Sequence, residues 1–440
     1  MTAWKRVFKL APLAALLAAS GTSWATNGMN MEGYGPISTG MGGASQAVDH
    51  GTAGMAQNPA TLALMAPGAR LDVAFGYLGP KVASTMGGFG TAASGGTSYL
   101  MPAIGYVRRN GALTYGVGVF AQGGMGTEYA ANTFMAGGSG RDVRSELGVG
   151  RVLFPLAFQV APDFAIGGSL DFVWAGLDMR MATTGAQLGR MVTGASGNLA
   201  AALGPLGGAP WARIDFSNNS DFSGAASSTG WAGKLGAVFK ASPTVTLGAS
   251  YQTKTSLKDM RTTASGASLS ATGGFADAGR ITVVDFQWPS MLSAGLSWQA
   301  TPALMVAADV KRIAWSDVMQ NFRMRYDSAG MGGSVSFALP QNWKDQTVTN
   351  IGLSYAMSPQ TTLRTGVNLA ANPIPDAMVN PLFPATVKRH FMAGFGHKVS
   401  AAGEINASLT IAPTSTVTNG MGVVVTHKQT NAQLMYTHRF

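Results

Sequence analysis

Apolar and polar residues alternate with a period of two along most of the chain. In residues 244–252, for example, Val245, Leu247, Ala249 and Tyr251 fall on one face, and threonine, glycine, serine and glutamine fall on the other. Such alternation is typical of β-strands that bury one face. Many of the alternating segments reach about nine to eleven residues, the length that a tilted strand needs to cross a bilayer. Strands of soluble β-sandwiches are usually only about five or six residues long.

The spacing of these segments predicts a barrel. Every second connection is a tight turn, such as Asn110-Gly111 or Ala161-Pro162-Asp163, and the connections between them are long. Short turns at one end and long loops at the other are the pattern of bacterial outer-membrane barrels, which have an even number of strands. We therefore predict an all-β fold, a transmembrane, antiparallel, 14-stranded outer-membrane β-barrel over residues 70–440. The predicted strands are 70–79, 99–109, 112–122, 145–160, 164–181, 229–240, 244–257, 280–299, 303–315, 343–356, 361–371, 389–398, 403–413 and 430–440.

Composition narrows the class of protein further. Charged residues make up only 11% of the chain, and glycine accounts for 59 of its 440 residues. Soluble domains usually carry roughly 25% charged residues. No run of about 18 apolar residues follows the N-terminal segment, which excludes a helical membrane protein and leaves a closed barrel as the structure able to span a bilayer. The chain has no cysteine, which excludes disulfides and thiolate metal sites.

The N-terminus has the features of an export signal. A basic segment with Lys5, Arg6 and Lys9 precedes the apolar residues 10–19, and Ser23-Trp24-Ala25 forms a small-x-small cleavage site. We therefore expect residues 1–25 to be a cleaved signal peptide. Its removal takes three basic residues from the 30 and leaves 27 against 20 acidic ones, a net charge of +7. The remaining basic residues are scattered, which argues against nucleic-acid binding.

Both ends of the mature chain depart from plain strand patterns. Residues 26–69 are rich in glycine, methionine and alanine and show no alternation of barrel length. We predict that this segment folds into the lumen as a hatch, because a disordered tail would be more charged and less apolar. At the other end, the alternating apolar residues finish on Phe440. A terminal aromatic residue of this kind looks like the signature that the barrel-assembly machinery reads.

The longest predicted loop, residues 182–228, contains apolar residues at helix-like spacing. Two interpretations of this loop remain open. A large apolar surface on a loop indicates binding, so the loop could form a helical vestibule that first meets a hydrophobic substrate. Alternatively, the loop packs a small core of its own. The candidate substrate contacts in this loop are Leu188, Met191, Leu199 and Leu203.

Several short motifs occur in the order found in one family of outer-membrane proteins. Two of them lie in the glycine-rich N-terminal segment, and three lie in the C-terminal half. On these motifs the chain resembles the FadL-type transporters (OMPP1/FadL/TodX) of long-chain fatty acids and aromatic hydrocarbons, over essentially the whole mature chain. The motifs are Gly40-Met41-Gly42-Gly43-Ala44 with Asp49, Asn58-Pro59-Ala60, Trp343-Lys344-Asp345, Arg364-Thr365-Gly366 and Pro373-Ile374-Pro375-Asp376.

The resemblance implies transport without catalysis, cofactor or energy input. The outer loops would first bind a hydrophobic substrate, which would then enter a hydrophobic pocket. A shift of the hatch would release the substrate laterally, through an opening in the barrel wall. Long-chain fatty acids are the first expected substrate, and aromatic hydrocarbons or alkanes are the alternative within the family. The residues expected to form the gating part of the hatch are Gly42, Gly43, Asn58, Pro59 and Ala60.

A fatty acid would require a cation beside the apolar cavity to fix its carboxylate. Charged residues of the strands should face the lumen, since a charge on the lipid face costs roughly 2–4 kcal/mol at mid-bilayer. Arg364, Lys344 and Arg151 are therefore the candidate carboxylate-binding residues. Arg364 and Lys344 could equally hold the hatch in place, because both lie in the motifs quoted above.

Two other classes of protein remain as alternatives. A general porin would carry polar solutes through an open lumen, and an outer-membrane lipid hydrolase would use a serine and a histidine, although no motif supports the latter. The five histidines show no ligand spacing, so we expect no metal site. We expect a monomer without nucleic-acid contacts. Its expected partners are the transported molecule, outer-membrane lipid, lipopolysaccharide and the assembly machinery.

Overall fold

The structure is a computed structural model that describes residues 27–216, 225–262 and 267–440. The predicted signal peptide, residues 1–25, lies outside the described residues, as does part of the predicted loop 182–228. In the described part of the chain, no helix is both long and apolar enough to cross a membrane.

One antiparallel sheet closes on itself, because its first strand pairs with its last from Arg70–Arg439 to Thr85–Val424. The strands are β1 Gly68–Met86, β2 Gly90–Ala93, β3 Tyr99–Asn110, β4 Leu113–Tyr129, β5 Val143–Ala161, β6 Phe164–Thr183, β7 Val192–Ala195, β8 Ala212–Asp215, β9 Ala226–Lys240, β10 Val245–Gln252, β11 Ser256–Leu257, β12 Met260–Thr262, β13 Ala267–Ala271, β14 Phe275–Val284, β15 Met291–Gln299, β16 Leu304–Ile313, β17 Asn321–Ser328, β18 Ser334–Pro340, β19 Gln346–Ala356, β20 Thr361–Ala370, β21 Arg389–Lys398, β22 Gly403–Thr418 and β23 Val424–Arg439.

Helices are few and short, and most of them lie in the hatch or in the outer connections. The α-helices are α1 Gly35–Gly40, α2 Gly54–Gln57, α3 Gly185–Met191 and α4 Gly197–Leu206. Single 3-10 turns occupy Gly51–Ala53, Pro59–Leu64, Phe134–Ala136, Trp315–Asp317 and Asp376–Met378.

The predicted all-β barrel with a hatch is confirmed, but the predicted fourteen strands are wrong for this sheet, which has 23. The outer connections do not leave the sheet as loops. They contribute further strands such as β8, which pairs with both β6 and β13. Strands of two to five residues are too short to show a period, so alternation missed them. The predicted strand 280–299 is two strands, β14 and β15, because Asp285 has a positive φ of 55° and Pro289 cannot donate to a ladder.

The alternation does set which face of each strand is apolar. Outward-facing side chains are exposed as a lipid-facing band requires, for example Phe75 at 61%, Leu235 at 68% and Leu292 at 58%. The inward positions between them are polar residues or glycine, and many of these contact the chain that fills the lumen. This is the arrangement expected of a membrane barrel with an occupied interior.

Two segments fill that interior. The hatch, residues 27–67, is almost entirely buried and is followed directly by β1. The second segment is the connection between β20 and β21, residues 371–388, which we call the inner loop. It crosses the lumen, since the hydroxyls of Thr127 and Tyr129 on β4 both donate to the carbonyl O of Pro381 at 3.0 Å. The sequence indicated the hatch but not this second obstruction.

Candidate substrate pocket and hatch

A small apolar cavity, partly open to solvent, lies at the end of the barrel where the long connections gather. Its wall comes from five places: strands β4 to β6, the connection between β14 and β15, the outer strands β17 and β18 with their flanking residues, the inner loop, and the hatch. None of the thirteen lining residues is charged. They are Met29, Met125, Leu147, Leu177, Met179, Phe286, Met319, Phe322, Leu339, Gln341, Trp343, Asn380 and Phe383.

A ladder of aromatic rings supports one side of the cavity. Trp288, Trp315 and Trp343 meet edge to face, with ring centroids 5.6 and 5.0 Å apart, the geometry that aromatic pairs prefer. Trp288 donates its Nε1 hydrogen to Oδ1 of Asn30 in the hatch at 2.7 Å, and Trp315 donates to Oε1 of Gln346 at 3.3 Å. The rings are therefore held by packing and by directed bonds, and they tie the first hatch residues to the pocket.

The inner loop closes the cavity from the other side. Ile374, Val379 and Leu382 are each no more than 3% exposed, so the loop contributes an apolar surface to the interior of the barrel. The Nδ2 of Asn419 donates to the carbonyl O of Val379 at 3.0 Å. Apolar burial and hydrogen bonds to the wall together fix Asn380 and Phe383 beside the cavity.

The Asn-Pro-Ala turn of the hatch is anchored by one side chain. Asn58 is fully buried, and its Nδ2 donates to the carbonyl O of Gln46 at 2.8 Å and to that of Ala237 on β9 at 3.2 Å. Its Oδ1 caps the 3-10 turn that follows by accepting the N–H of Ala60 at 3.1 Å. Pro59 suits the first position of that turn, since it has no N–H to satisfy. Asn58 thus joins two parts of the hatch to the wall.

Glycines of the wall make room for this turn. A Cβ atom on Gly167 would lie 2.6 Å from the backbone N of Ala60, and one on Gly236 would lie 3.3 Å from Cδ of Pro59. Gly167 and Gly236 are register partners on β6 and β9, so the wall has a smooth depression directly under the turn. The sequence showed both glycines, but only the register of two distant strands brings them together.

The glycine motif of the hatch packs against the opposite wall. Gly42 and Gly43 have positive φ angles of 70° and 84°, which side chains rarely adopt. A Cβ on Gly42 would lie 2.7 Å from the carbonyl O of Ile351 and from the N of Val367. These glycines therefore allow close contact between two backbones.

Buried charges on the wall fasten the backbone of the hatch. Asp309 on β16 accepts the N–H of Ser45 at 2.7 Å and that of Gln46 at 3.2 Å, and Lys311 on the same strand donates to the carbonyl O of Gly43 at 3.1 Å. Both side chains are at most 5% exposed. Bonds between a charged group and the backbone are stronger than neutral ones. The two strand residues thus hold three of the four hatch positions 43–46.

A second fastening lies near the start of β1. Asp72 accepts the N–H of Thr52 at 2.7 Å and pairs with Arg70 at 3.0 Å. His50 of the hatch lies beside these residues, with its Nδ1 2.8 Å from the carbonyl O of Val48. Burial lowers the pKa of His50, so its ring is neutral in the closed hatch.

The three basic residues predicted to bind a carboxylate do not meet. Arg151 is buried in an ion pair with Asp171 at 2.9 Å. Asp171 lies 3.9 Å from the Nζ of Lys234, which donates to the hatch carbonyl O of Ala56 at 2.7 Å. Arg364 donates to Asn406 at 3.0 Å, and the side chain of Lys344 is exposed. None of the three basic residues lines the cavity.

The predicted contacts in the long outer connection lie in two helices. Leu188 and Met191 belong to α3, which begins with a capping box formed by Thr184 and Gln187, and Leu199 and Leu203 belong to α4. Leu188 and Leu199 are 1% and 0% exposed and pack into the main apolar cluster. The sequence correctly indicated helical spacing, but these side chains are not among the residues that line the cavity.

The lining residues themselves were missed by sequence reasoning. Met125, Leu147, Leu177 and Met179 stand at strand positions where alternation would place inward residues, and their apolar character at such positions was the available signal. Met29, in the hatch, had no pattern to mark it. In the described part of the chain, no group of three or more histidine or acidic side chains could hold a metal ion.

Residues 15–434 match the protein family described as "Outer membrane protein transport protein (OMPP1/FadL/TodX)". The toluene transporter TbuX of Ralstonia pickettii is 31% identical in sequence; the similarity covers 93% of this chain and 99% of TbuX, with a TM-score of 0.79. The toluene transporter TodX of P. putida is 30% identical, with the same coverage of 93% and 99% and a TM-score of 0.83.

A curated relative adds a local similarity. An uncharacterized protein in the phosphoenolpyruvate carboxykinase gene 5′ region of Chlorobium limicola is 44% identical over 64 residues, which are 14% of this chain. The chain spans 31% of the length of that relative.

Proposed function

Because this chain belongs to the OMPP1/FadL/TodX family of outer-membrane transport proteins, we propose that it carries small, uncharged aromatic hydrocarbons across the outer membrane. The observation that carries the proposal is the absence of any charged side chain among the thirteen described residues that line the cavity. Long-chain fatty acids, the first expectation from the sequence, need a cation that these residues do not offer.

Family membership confirms the coarser predictions. The chain is an outer-membrane transporter of hydrophobic compounds, and it is not an enzyme. The predicted resemblance to FadL-type transporters is likewise confirmed. The choice between a fatty acid and an aromatic hydrocarbon is the part that we propose.

The chemistry of the lining supports an aromatic ligand. Four of the thirteen residues are methionine and four are aromatic. Thioether sulfur and aromatic edges make favourable contacts with rings, and methionine adapts its shape to ligands of different outline. A carboxylate in the same cavity would lose its hydration without gaining a charged partner, which is strongly unfavourable.

The relatives support the same substrate class. TbuX and TodX are described as toluene transporters, and each is matched over nearly its whole length. The fold is therefore shared with proteins described as toluene transporters.

We place the release route at the first hatch residues. Met29 lines the cavity and its carbonyl O accepts the N–H of Gly124 on β4 at 3.0 Å. At this point the pairing of β4 with β5 shifts register between Ala121 and Gly123, which weakens the wall locally. A displacement of Met29 would open the floor of the cavity toward this irregular part of β4.

Uptake in a bacterium that lacks its own transporters of this family tests the proposal. Cells producing the protein should accumulate labelled toluene faster than control cells and should not accumulate labelled oleate faster. Leu339→Trp, which fills the cavity, should abolish the gain. Leu353→Trp, at a lipid-facing position 40% exposed, is the matched control and should retain it. Faster uptake of oleate but not of toluene would overturn the proposal in favour of a fatty acid.

A further inference from the structure

Two side chains interrupt the otherwise apolar lining of the cavity. Gln341 and Asn380 are the only polar residues among the thirteen described lining residues apart from the indole of Trp343. They come from separate parts of the chain, since Gln341 follows β18 and Asn380 lies in the inner loop. Both are partly buried. A carboxamide in such a place fixes the orientation of a bound molecule, because few other polar groups are available to it.

The carboxamide of Asn380 has its oxygen engaged and its nitrogen available. Its Oδ1 accepts the N–H of Leu382 at 2.9 Å. This bond orients the amide so that Nδ2 faces away from the inner loop. Among the described residues, Nδ2 of Asn380 donates to no protein acceptor. Asn380 therefore offers a hydrogen-bond donor.

The carboxamide of Gln341 is engaged at the other end. Its Nε2 lies 3.5 Å from the carbonyl O of Leu339, at the outer limit of a hydrogen bond, and its backbone N–H donates to Gln320 at 2.9 Å. Its Oε1 accepts no hydrogen bond from the described residues. Gln341 therefore offers an acceptor, at a fixed place in the backbone.

Trp343 adds a third polar group beside the cavity. The side chain is 2% exposed, and its Nε1 has no hydrogen-bond partner in the described part of the chain. The other two tryptophans of the ladder both donate their Nε1 hydrogens to side-chain oxygens. A buried N–H without a partner is uncommon, because it loses its hydrogen bond to water.

From these groups we infer that the preferred ligand is an arene bearing one uncharged hydroxyl group, a phenol, rather than an unsubstituted hydrocarbon. This inference rests on the proposed function, since it keeps the uncharged arene and adds one hydroxyl group to the preferred ligand. A phenolic hydroxyl is both a donor and an acceptor. It donates to Oε1 of Gln341 and accepts from Nδ2 of Asn380, and its ring lies among the methionine and aromatic side chains.

Ionised ligands fit this site poorly. A phenolate or carboxylate would accept from Asn380 but would face the Oε1 acceptor of Gln341 without a hydrogen to donate. A plain hydrocarbon would leave both amides unpaired after displacing water from them, which costs affinity. The pair thus discriminates in favour of a neutral hydroxyl against both.

Equilibrium binding of toluene and p-cresol to the purified full-length protein tests the inference. The two ligands differ only in the hydroxyl group. We expect the ratio of cresol affinity to toluene affinity to fall about five- to tenfold in Gln341→Met and in Asn380→Leu, as expected for the loss of one neutral hydrogen bond. Quenching of tryptophan fluorescence reports the binding, because three tryptophans lie beside the cavity.

The control and the contrary results separate this inference from the proposed function. Gln360→Met, in an exposed turn at the opposite end of the barrel, should leave the ratio unchanged. Heat-modified mobility in gels verifies that each variant is a folded barrel. A ratio that stays within twofold of wild type in both pocket variants overturns the inference, although toluene binding would still support the proposed function. Binding of oleate without binding of either arene overturns both.

Discussion

The cavity and the hatch lie within one barrel, yet they are held together by opposite kinds of interaction. The cavity is lined by apolar side chains and has no charged group among its thirteen residues. The hatch is fixed by charges and backbone hydrogen bonds, such as those of Asp309 with Ser45 and Gln46. The apolar lining of the cavity can accept a ligand in several orientations, whereas the bonds to the hatch fix its backbone in one position.

The difference follows from what each region must do. A hydrophobic ligand offers few hydrogen bonds, so burial of apolar area has to provide its binding. The hatch packs apolar side chains such as Met55 and Ile37 against the wall, and directional bonds to its backbone add a defined position. Met29 belongs to both regions, because it lines the cavity and lies in the hatch. It is therefore the point at which ligand binding can act on the hatch.

A charge placed in the cavity should have the largest effect. Met179→Lys would bury an unpaired ammonium group among apolar side chains, at a cost of several kcal/mol. We expect toluene binding to weaken by about a hundredfold or more, whereas oleate binding should become detectable, since a cation is now available. Met357→Lys, at a position 57% exposed, is the control. Equal toluene affinity in wild type and Met179→Lys would contradict the apolar pocket.

Removal of a charge from the hatch fastening should have the next largest effect. Asp309→Ala deletes the acceptor of Ser45 and Gln46 and leaves Lys311 buried without its nearest acidic neighbour. Such a loss costs about 3–5 kcal/mol, so we expect the hatch to open more often and ions to pass. Conductance in planar bilayers measures this directly. The control is Asp163→Ala, because Asp163 is exposed in a tight turn. An Asp309→Ala protein with no more conductance than wild type would argue against the fastening.

A methyl group under the Asn-Pro-Ala turn tests close contact rather than charge. Gly236→Ala would push against Asn58 and Pro59 and should destabilise the seated hatch by about 1–3 kcal/mol. The measurement is the rate at which a protease cleaves residues 45–65. Gly233→Ala, on the same strand, adds a methyl group whose nearest atoms would lie 3.8 Å away, so that variant should behave as wild type. Equal cleavage of both variants would refute the close-packed turn.

Acid should loosen the hatch slightly, through His50. Its pKa is lowered by burial, so the closed hatch resists protonation while a released hatch accepts a proton at the ordinary pKa of about 6.5. As the pH falls below that value, release is favoured by up to about 1.4 kcal/mol per pH unit. Hydrogen exchange of residues 45–55, corrected for intrinsic rates, should rise more between pH 7 and 5.5 than in His50→Asn. The same increase in that variant would exclude His50 as the source.

The sequence predicted the parts of the fold that depend on local periodicity. Alternation identified an all-β barrel, and the low charge and glycine-rich composition of residues 26–69 indicated a hatch in the lumen. The strand number was wrong for three reasons. β2, β7, β8 and β11 to β13 are too short to show a period of their own, β14 is joined to β15 in the predicted strand 280–299, and β17 and β18 lie in a connection predicted as a loop. Several of the short strands form through pairing with distant strands, as β8 does with β13. Such pairing depends on long-range contacts that periodicity does not encode.

The candidate site was predicted less well than the fold. Asn58 and Gly42 lie in the hatch at tight contacts with the wall, as their motifs suggested. The basic residues were considered as ligand contacts because each was predicted to face the lumen. In a lumen filled by a hatch, charged residues can instead form ion pairs or bind the hatch backbone. Arg151 pairs with Asp171, for example. The cavity combines β4 to β6 with the inner loop, residues 371–388, and no pattern in either segment indicates the other.

Competition between labelled toluene and unlabelled oleate for the purified wild-type protein tests the central claim most directly. An uncharged, apolar cavity predicts saturable toluene binding that Leu339→Trp removes and that oleate does not displace at concentrations below its micelle threshold. Saturable oleate binding that displaces toluene from the same site would contradict the account, because the carboxylate would then have a partner that the cavity does not contain.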